Sequence, residues 1–134
     1  REGSAQAEHR RIRRAARTAL RGGPPVEVVL VGGAQMRRLN RDYHGVDAPT
    51  DVLSFPLKDG GRGPAGVVVV SVPRARAEAR RRRKDWRAEM LLYVVHGALH
   101  LVGFRDGTAA ERRRMRGREQ ACLKSLGLRG ADLD

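Results

Sequence analysis

The segment from Arg87 to Val102 constrains the fold most, because apolar residues lie on nearly every side of the helix that it predicts. A helix without a polar face is buried on all sides instead of lying on a surface. Gly103 follows this segment directly, and glycine commonly ends a helix. We therefore predict a central, buried helix over 87–102, with the other elements packed around it.

The remaining chain predicts further helices and strands. Helices are expected where apolar residues recur every three or four positions, and strands where β-branched residues cluster. The predicted strands are 26–31, 51–57 and 67–71. The predicted helices are 4–20, 34–43, 73–83 and a last one that follows the capping-box spacing of Thr108 and Glu111. The expected fold class is α+β, a small mixed β-sheet covered by about five helices, in one domain over residues 1–134.

Charge and cysteine content indicate the partner and the compartment. The chain has 28 basic and 15 acidic residues, a formal net charge of +13. This excess favours nucleic acid as a partner, because binding to phosphates releases their counterions. No apolar run approaches the ~20 residues that cross a membrane, so we expect no membrane association. Cys122 is the only cysteine, which excludes an intrachain disulfide and favours a reducing compartment, the cytoplasm.

Aromatic residues make up 4% of the chain, which gives little support for stacking on bases. Four of them fit positions in the core: Tyr43, Phe55, Tyr93 and Phe104. Helical spacing puts Tyr43 on an apolar face whose other members are Met36 and Leu39 or Asn40. We therefore predict that a nucleic acid is recognised by its backbone and shape, without aromatic platforms for the bases.

The stretch HGALHLVGFRD (96–106) has the spacing of a metal site. His96 and His100 are four residues apart, so a helix brings both rings to one face, where they could bind one divalent ion at ~2.0–2.1 Å. Gly103 lets the chain reverse, which could return Asp106 to this face as a third ligand. Three protein ligands with an open fourth position are typical of catalytic zinc. On spacing alone, the alternative is that both histidines are ordinary core residues.

The stretch 96–106 also resembles the signature of the YbeY endoribonucleases, small bacterial metalloenzymes of ribosomal RNA maturation and ribosome quality control. A second block, LNRDYHGVDAPTDVLSFPL (39–57), is similar to another part of the family's pattern, most strongly at TDVLSF (50–55). GVVVVS (66–71) occupies the place of the family's following strand. The resemblance covers about residues 26–127. The spacing of the family's last helix is matched by Met115, Glu119 and Leu123.

This resemblance implies a metal-dependent endoribonuclease that acts on single-stranded RNA, with ribosomal RNA as its substrate. It implies one zinc ion per chain, or another divalent transition metal, with His96 and His100 as the first two ligands. The family's third histidine falls on Asp106, so the implied third ligand is a carboxylate. The implied partners are single-stranded RNA and the ribosome or ribosomal proteins, and DNA is not expected.

Two further positions depart from the family's pattern. His44 stands where the family carries an arginine thought to help catalysis, and Val67 stands where it carries an acid. The resemblance implies catalytic roles for His44, as a proton donor or acceptor near the phosphate, and for Asp51. On spacing alone, His44 is equally a surface residue, and Asp51 is more simply a loop cap. Thr50 and Ser54 border the cleft by the same resemblance.

Three functions remain compatible with the sequence. The first is the endoribonuclease, the second is a ribosome-associated RNA-binding protein of the same fold with weakened catalysis, and the third is a metal hydrolase for another phosphoester. Gly97 replaces the glutamate that H-E-x-x-H zinc proteases need, which argues against peptide hydrolysis. The arginines of 76–83 and 112–118 either guide an RNA backbone or form solvated helix faces.

Overall fold

A computed structural model describes residues 2–21, 25–57 and 66–128 of the chain. The described residues form α-helices and a small β-sheet, which confirms the predicted α+β class. The helices are α1 (Glu2–Leu20), α2 (Gly33–His44), α3 (Val72–Arg82), α4 (Trp86–Leu101) and α5 (Ala109–Ser125). The strands are β1 (Val26–Val31), β2 (Val52–Pro56) and β3 (Gly66–Ser71). None of the described helices offers an apolar stretch of the length that crossing a bilayer requires.

The sheet is mixed, with the strand order β1-β3-β2. β1 runs parallel to β3, whereas β2 runs antiparallel to it and forms an edge of the sheet. Side chains alternate between the two faces of a strand, and those of β2 do so here. Ser54 bonds to α4 on one face, while Leu53 and Phe55 pack beside Met36 of α2 on the other. The sheet therefore separates two layers, with α4 on one side and α2 on the other.

Helix α4 is the centre of the larger layer, as its apolar sequence predicts. Its inner side chains, such as Leu91, Val95 and Leu99, are almost completely buried against the sheet and against the neighbouring helices. Helices α1, α3 and α5 all pack on α4. The apolar surface that this helix carries on nearly every side is thus covered from several directions, which is the main source of stability in such a core.

The chain reverses directly after α4. Gly103 has a φ of +100°, a conformation that residues with a side chain rarely adopt, and Phe104 N–H donates to the Leu99 carbonyl at 3.0 Å. The predicted capping box then starts α5, because Thr108 Oγ1 accepts from Glu111 N–H at 3.1 Å and the Glu111 carboxylate accepts from Thr108 N–H at 3.0 Å. Two fixed helix ends therefore hold the short segment between them in place.

Gly97 allows α4 to lie close to the sheet. A Cβ atom at this position would lie 2.6 Å from Val68 Cγ1 and 3.0 Å from Ser54 Oγ. We expect Gly97→Ala to lower the free energy of unfolding by about 1–3 kcal/mol, measured by urea denaturation, because the added carbon overpacks this contact. Gly117→Ala on α5 is the matched control, since nothing lies within 4 Å of its added carbon. A Gly97→Ala protein as stable as Gly117→Ala would contradict this packing.

The prediction of which α2 residues face the core is only partly correct. Met36 and Asn40 are buried, and the Asn40 side-chain amide donates to the Ala48 carbonyl at 2.9 Å. Tyr43, which was expected in the core, is 68% exposed. The reason is its place in the last turn of α2, beside edge strand β2, where its ring meets Phe55 in an edge-to-face contact and is not enclosed by the sheet.

Candidate metal centre

The three predicted metal ligands lie together. His96 and His100 occupy successive turns of α4, and their Nε2 atoms are 3.0 Å apart. The chain reversal at Gly103 brings Asp106 back over this face, where its Oδ2 lies 3.5 Å from His96 Nε2 and 3.3 Å from His100 Nε2. The three atoms thus form a nearly equilateral triangle.

The triangle fits a small divalent ion. Tetrahedral zinc with bonds of ~2.0–2.1 Å places its ligand atoms ~3.3–3.4 Å apart, which is close to the distances observed here. The side chains of His96, His100 and Asp106 are 24%, 30% and 45% exposed, so the site opens toward solvent. Two imidazoles and one carboxylate therefore provide three ligands and leave a fourth position for water or substrate. This donor set also suits other divalent transition metals.

Glu119 of α5 bonds to one of the predicted ligands. Its Oε2 lies 2.5 Å from Nδ1 of His96, on the side of the ring that faces away from the triangle. A carboxylate in this place accepts the Nδ1 proton and leaves the Nε2 lone pair for a metal. The sequence marked Glu119 only as a match to the spacing of the last helix. The available signal was an acid on the same helical face as Met115 and Leu123, both of which are buried.

The surroundings of His96 also change its protonation. Burial acts to lower the pKa of His96, but the hydrogen bond and negative charge of Glu119, with smaller effects of Asp106 and Asp51, raise it overall. A metal ion needs the neutral ring, so protons compete with a metal ion for the His96 side chain up to a higher pH than at an ordinary histidine.

A cavity of about 470 Å³ extends from the metal centre along α4. It lies between β2, α3, α4 and α5, and its wall includes His96, Asp106 and Glu119. Arginines of two helices and carboxylates of several elements line it, so its wall contains both cationic and anionic groups. The charged side chains of the lining, apart from His96, are Asp51, Arg74, Glu78, Arg81, Arg82, Glu89, Asp106, Arg112, Arg116 and Glu119.

The end of the cavity away from the metal centre contains a buried carboxylate. Glu89 is only 3% exposed, and its Oε1 lies 3.9 Å from a guanidinium nitrogen of Arg82. Burial raises the pKa of Tyr93 strongly, and the charge and hydrogen bond of Glu89 raise it further, so the phenol stays protonated. Residues 89, 93, 96 and 100 recur at helical spacing, and α4 therefore carries one polar stripe on an otherwise apolar surface.

The two predicted catalytic residues lie in different places. Asp51 lines the cavity, and its Oδ1 accepts hydrogen bonds from Val52 N–H at 2.7 Å and from Thr50 Oγ1 at 3.4 Å. His44 is exposed at the end of α2, with its ring centroid 5.9 Å from that of Phe55, and it is not among the described residues that line the cavity. Ser54, which was expected at the cleft, donates to the Gly97 carbonyl at 2.8 Å and so ties β2 to α4.

The two arginine-rich segments contribute unequally to the cavity. Arg81 and Arg82 of α3 and Arg112 and Arg116 of α5 line it. Arg76 instead lies over the ring of Trp86, with its guanidinium carbon 4.7 Å from the ring centroid. Both segments therefore supply cationic side chains to the walls beside the metal centre, although not all of their arginines point there.

Comparison with known proteins identifies relatives of the chain. Residues 4–127 match the family model described as "Endoribonuclease YbeY". Endoribonuclease YbeY of Anaeromyxobacter sp. (strain Fw109-5) is 42% identical over 135 residues, which cover 98% of this chain and 70% of that protein. The Moorella thermoacetica endoribonuclease YbeY is 39% identical over 126 residues, covering 86% and 81%. The solution structure of TM1509 from Thermotoga maritima aligns with a TM-score of 0.65 at 25% identity, over 90% of this chain and 79% of that one. The chain belongs to the YbeY endoribonuclease family.

Proposed function

We propose that the protein is a metal-dependent endoribonuclease that cleaves single-stranded RNA and acts in ribosomal RNA maturation and ribosome quality control. The observation that carries this proposal is the triangle of His96, His100 and Asp106, open on one side, in a chain of an endoribonuclease family. One zinc ion per chain is the proposed cofactor, with another divalent transition metal as the alternative.

A divalent ion at this site would lower the pKa of a bound water and offset negative charge on the scissile phosphate. His96 and His100 would hold the ion, and Glu119 keeps the His96 ring in the required orientation. Asp106 would contribute a negative ligand, which would neutralise part of the ion's charge. Asp51 lines the same cavity, and we propose it as a proton acceptor there. We propose His44 as a second proton donor or acceptor.

The charge distribution supports RNA as the substrate. A net charge of +13 attracts a polyanion, and arginines of α3 and α5, such as Arg81 and Arg112, line the cavity that leads to the metal centre. One guanidinium group can bind two oxygens of a phosphate at once, and such contacts position a strand without reading its sequence. We propose ribosomal RNA, together with the ribosome or ribosomal proteins, as the partners in the cytoplasm, and expect no function on DNA.

A second candidate is an RNA-binding protein of this fold with weakened catalysis. The position of His44 favours it, because the residue that replaces the family's arginine lies outside the lining of the cavity. The carboxylates Glu78 and Glu89, which also line the cavity, favour it as well, since they oppose the approach of a phosphate.

Cleavage of RNA oligonucleotides separates the two candidates. We expect the purified protein, loaded with zinc, to cut a labelled single-stranded RNA and to spare the RNA duplex and the single-stranded DNA of the same sequence. Removal of the metal by a chelator should stop cleavage, and added zinc should restore it. Elemental analysis after dialysis should find about one transition metal per chain. Binding of the RNA without cleavage would favour the second candidate, and protein that takes up no metal would contradict the first.

A further inference from the structure

Three aromatic rings meet on the surface at the end of α2. The centroids of Tyr43 and Phe55 are 5.2 Å apart, with an angle of 66° between the ring planes. The His44 ring lies 5.9 Å from the Phe55 ring, tilted by 31°. Val67, opposite Phe55 in the sheet register, packs in the same apolar cluster and supports the Phe55 ring from the sheet. We call Tyr43, His44 and Phe55 the ring cluster.

The ring cluster exposes an aromatic surface to solvent. Tyr43 is 68% exposed, the highest value among the large hydrophobic residues that the structure describes as exposed. Its edge-to-face contact with Phe55 restrains the ring and leaves much of its surface accessible to solvent. A restrained, exposed ring is a preorganised binding surface, because little side-chain freedom is lost when a flat ligand stacks on it.

A short series of contacts through edge strand β2 connects the ring cluster with the candidate metal centre. Phe55 follows Ser54 in edge strand β2, and Ser54 Oγ bonds to the carbonyl of Gly97. Gly97 is the residue after the ligand His96 on α4. The cluster and the metal centre therefore lie near the same stretch of β2, with the rings on the α2 side of the sheet and the ligands on the α4 side.

A nucleobase fits this surface better than a protein does. Among the described residues, the other exposed apolar residues of this region are Val46 and Leu57, so the described patch is small compared with the ~800 Å² that each partner buries in a stable protein interface. Arg38 and Arg41 are exposed on the same helix, α2, and favour an anionic strand, although Asp42 pairs with Arg41 at 3.2 Å. Any unpaired base has a flat face that can stack on such rings, whatever its identity.

We propose that the ring cluster is a stacking platform for an unpaired nucleobase of the RNA strand whose phosphate reaches the metal centre. This inference rests on the proposed function for the identity of the strand. It adds a reason for single-strand preference, because the bases of a duplex are already stacked on one another and cannot lie on Tyr43. It differs from the sequence-based expectation that the RNA is recognised by its backbone and shape, without aromatic platforms for the bases.

Binding of two labelled probes to the metal-loaded protein tests the platform. The first probe is a single-stranded 2′-O-methyl RNA, which is checked for integrity on a gel, and the second is the same backbone without bases. We expect Tyr43→Ala to weaken binding of the first probe about tenfold, within the range for loss of one stacked base, and to leave binding of the second unchanged. Tyr43→Phe keeps the ring and should bind both probes as the wild type does. Leu30→Ala is the control, since Leu30 is 40% exposed on β1, at the opposite edge of the sheet.

Two results would overturn the platform. The first is unchanged binding of the base-bearing probe by Tyr43→Ala, as expected if the cluster docks a protein instead. The second is an equal loss with both probes, which would indicate a general effect on fold or charge. Cleavage of unmodified RNA by the wild type is measured in parallel. A wild type that does not cleave, with the base-dependent loss intact, contradicts the proposed endoribonuclease and supports the platform. A wild type that cleaves while Tyr43→Ala binds normally contradicts the platform alone.

Discussion

Replacing His100 with alanine is expected to remove the bound metal and to lower RNA cleavage by more than about a hundredfold. This loss is larger than the roughly 10–100-fold that is typical when a residue that only supports a metal ligand is removed. His100 Nε2 is 3.0 Å from His96 Nε2 and 3.3 Å from Asp106 Oδ2, so its loss removes one corner of the triangle. Elemental analysis and cleavage of single-stranded RNA measure the two effects. The His100 ring is partly exposed, so the metal-free variant should keep its helical circular dichroism.

Variants at Asp106 show whether the metal loss is specific to the triangle. Asp106→Ala should also release the metal, whereas Asp106→His keeps a ligand at this position and should retain about one metal per chain. Ser125→Ala, in the last turn of α5, is a control that changes neither metal content nor cleavage. If His100→Ala keeps both its metal and its activity, the ion is bound elsewhere and this centre is not the site of cleavage.

Replacing Glu119 with alanine is expected to weaken zinc binding by about 10–100-fold while leaving all three ligands in place. The carboxylate accepts the Nδ1 proton of His96, and without it the ring is free to rotate and to carry its proton on Nε2. Competition with a chromophoric chelator measures this affinity. Glu119→Gln still offers an oxygen to Nδ1 and should lose less than Glu119→Ala.

The pH dependence of zinc binding distinguishes positioning from a general structural effect. In the wild type the pKa of His96 is raised, so protons compete with zinc up to a higher pH than at an ordinary histidine. Removing the Glu119 charge lowers this pKa, and competition should then end at a lower pH, even though the limiting affinity is weaker. Glu111→Gln alters the capping box of the same helix and is the matched control. A shift of equal size in Glu111→Gln would contradict a direct role of Glu119.

The sequence predicted those features that depend on neighbours along the chain. An apolar surface on nearly every side placed α4 at the centre, and the spacing of His96 and His100, with a glycine turn after them, placed Asp106 beside them. The role of Glu119 was not predictable in this way. It depends on the packing of α5 against α4, and the sequence spacing within α5 does not determine which residue of α4 a given side chain meets.

The exposure of Tyr43 was missed for a related reason. Helical spacing correctly put Tyr43 near the face that carries Met36, but it contains no information about where the sheet below the helix ends. At edge strand β2 the supporting surface stops, so the same face is buried at Met36 and open at Tyr43. The cavity beside the metal centre could not be predicted from the sequence either, because its walls are formed by four different elements.

The short segment between Gly103 and Thr108 has a consequence for how this centre can change during evolution. Two of the proposed ligands belong to helix α4, which is packed on several sides, whereas Asp106 lies on a partly exposed connection whose ends are fixed by the helix caps on either side. A residue at this point can be replaced without repacking its neighbours. The proposed third ligand is therefore the one most easily exchanged, and a carboxylate where the family pattern carries a histidine would change the charge of the centre at little cost to the stability of the fold.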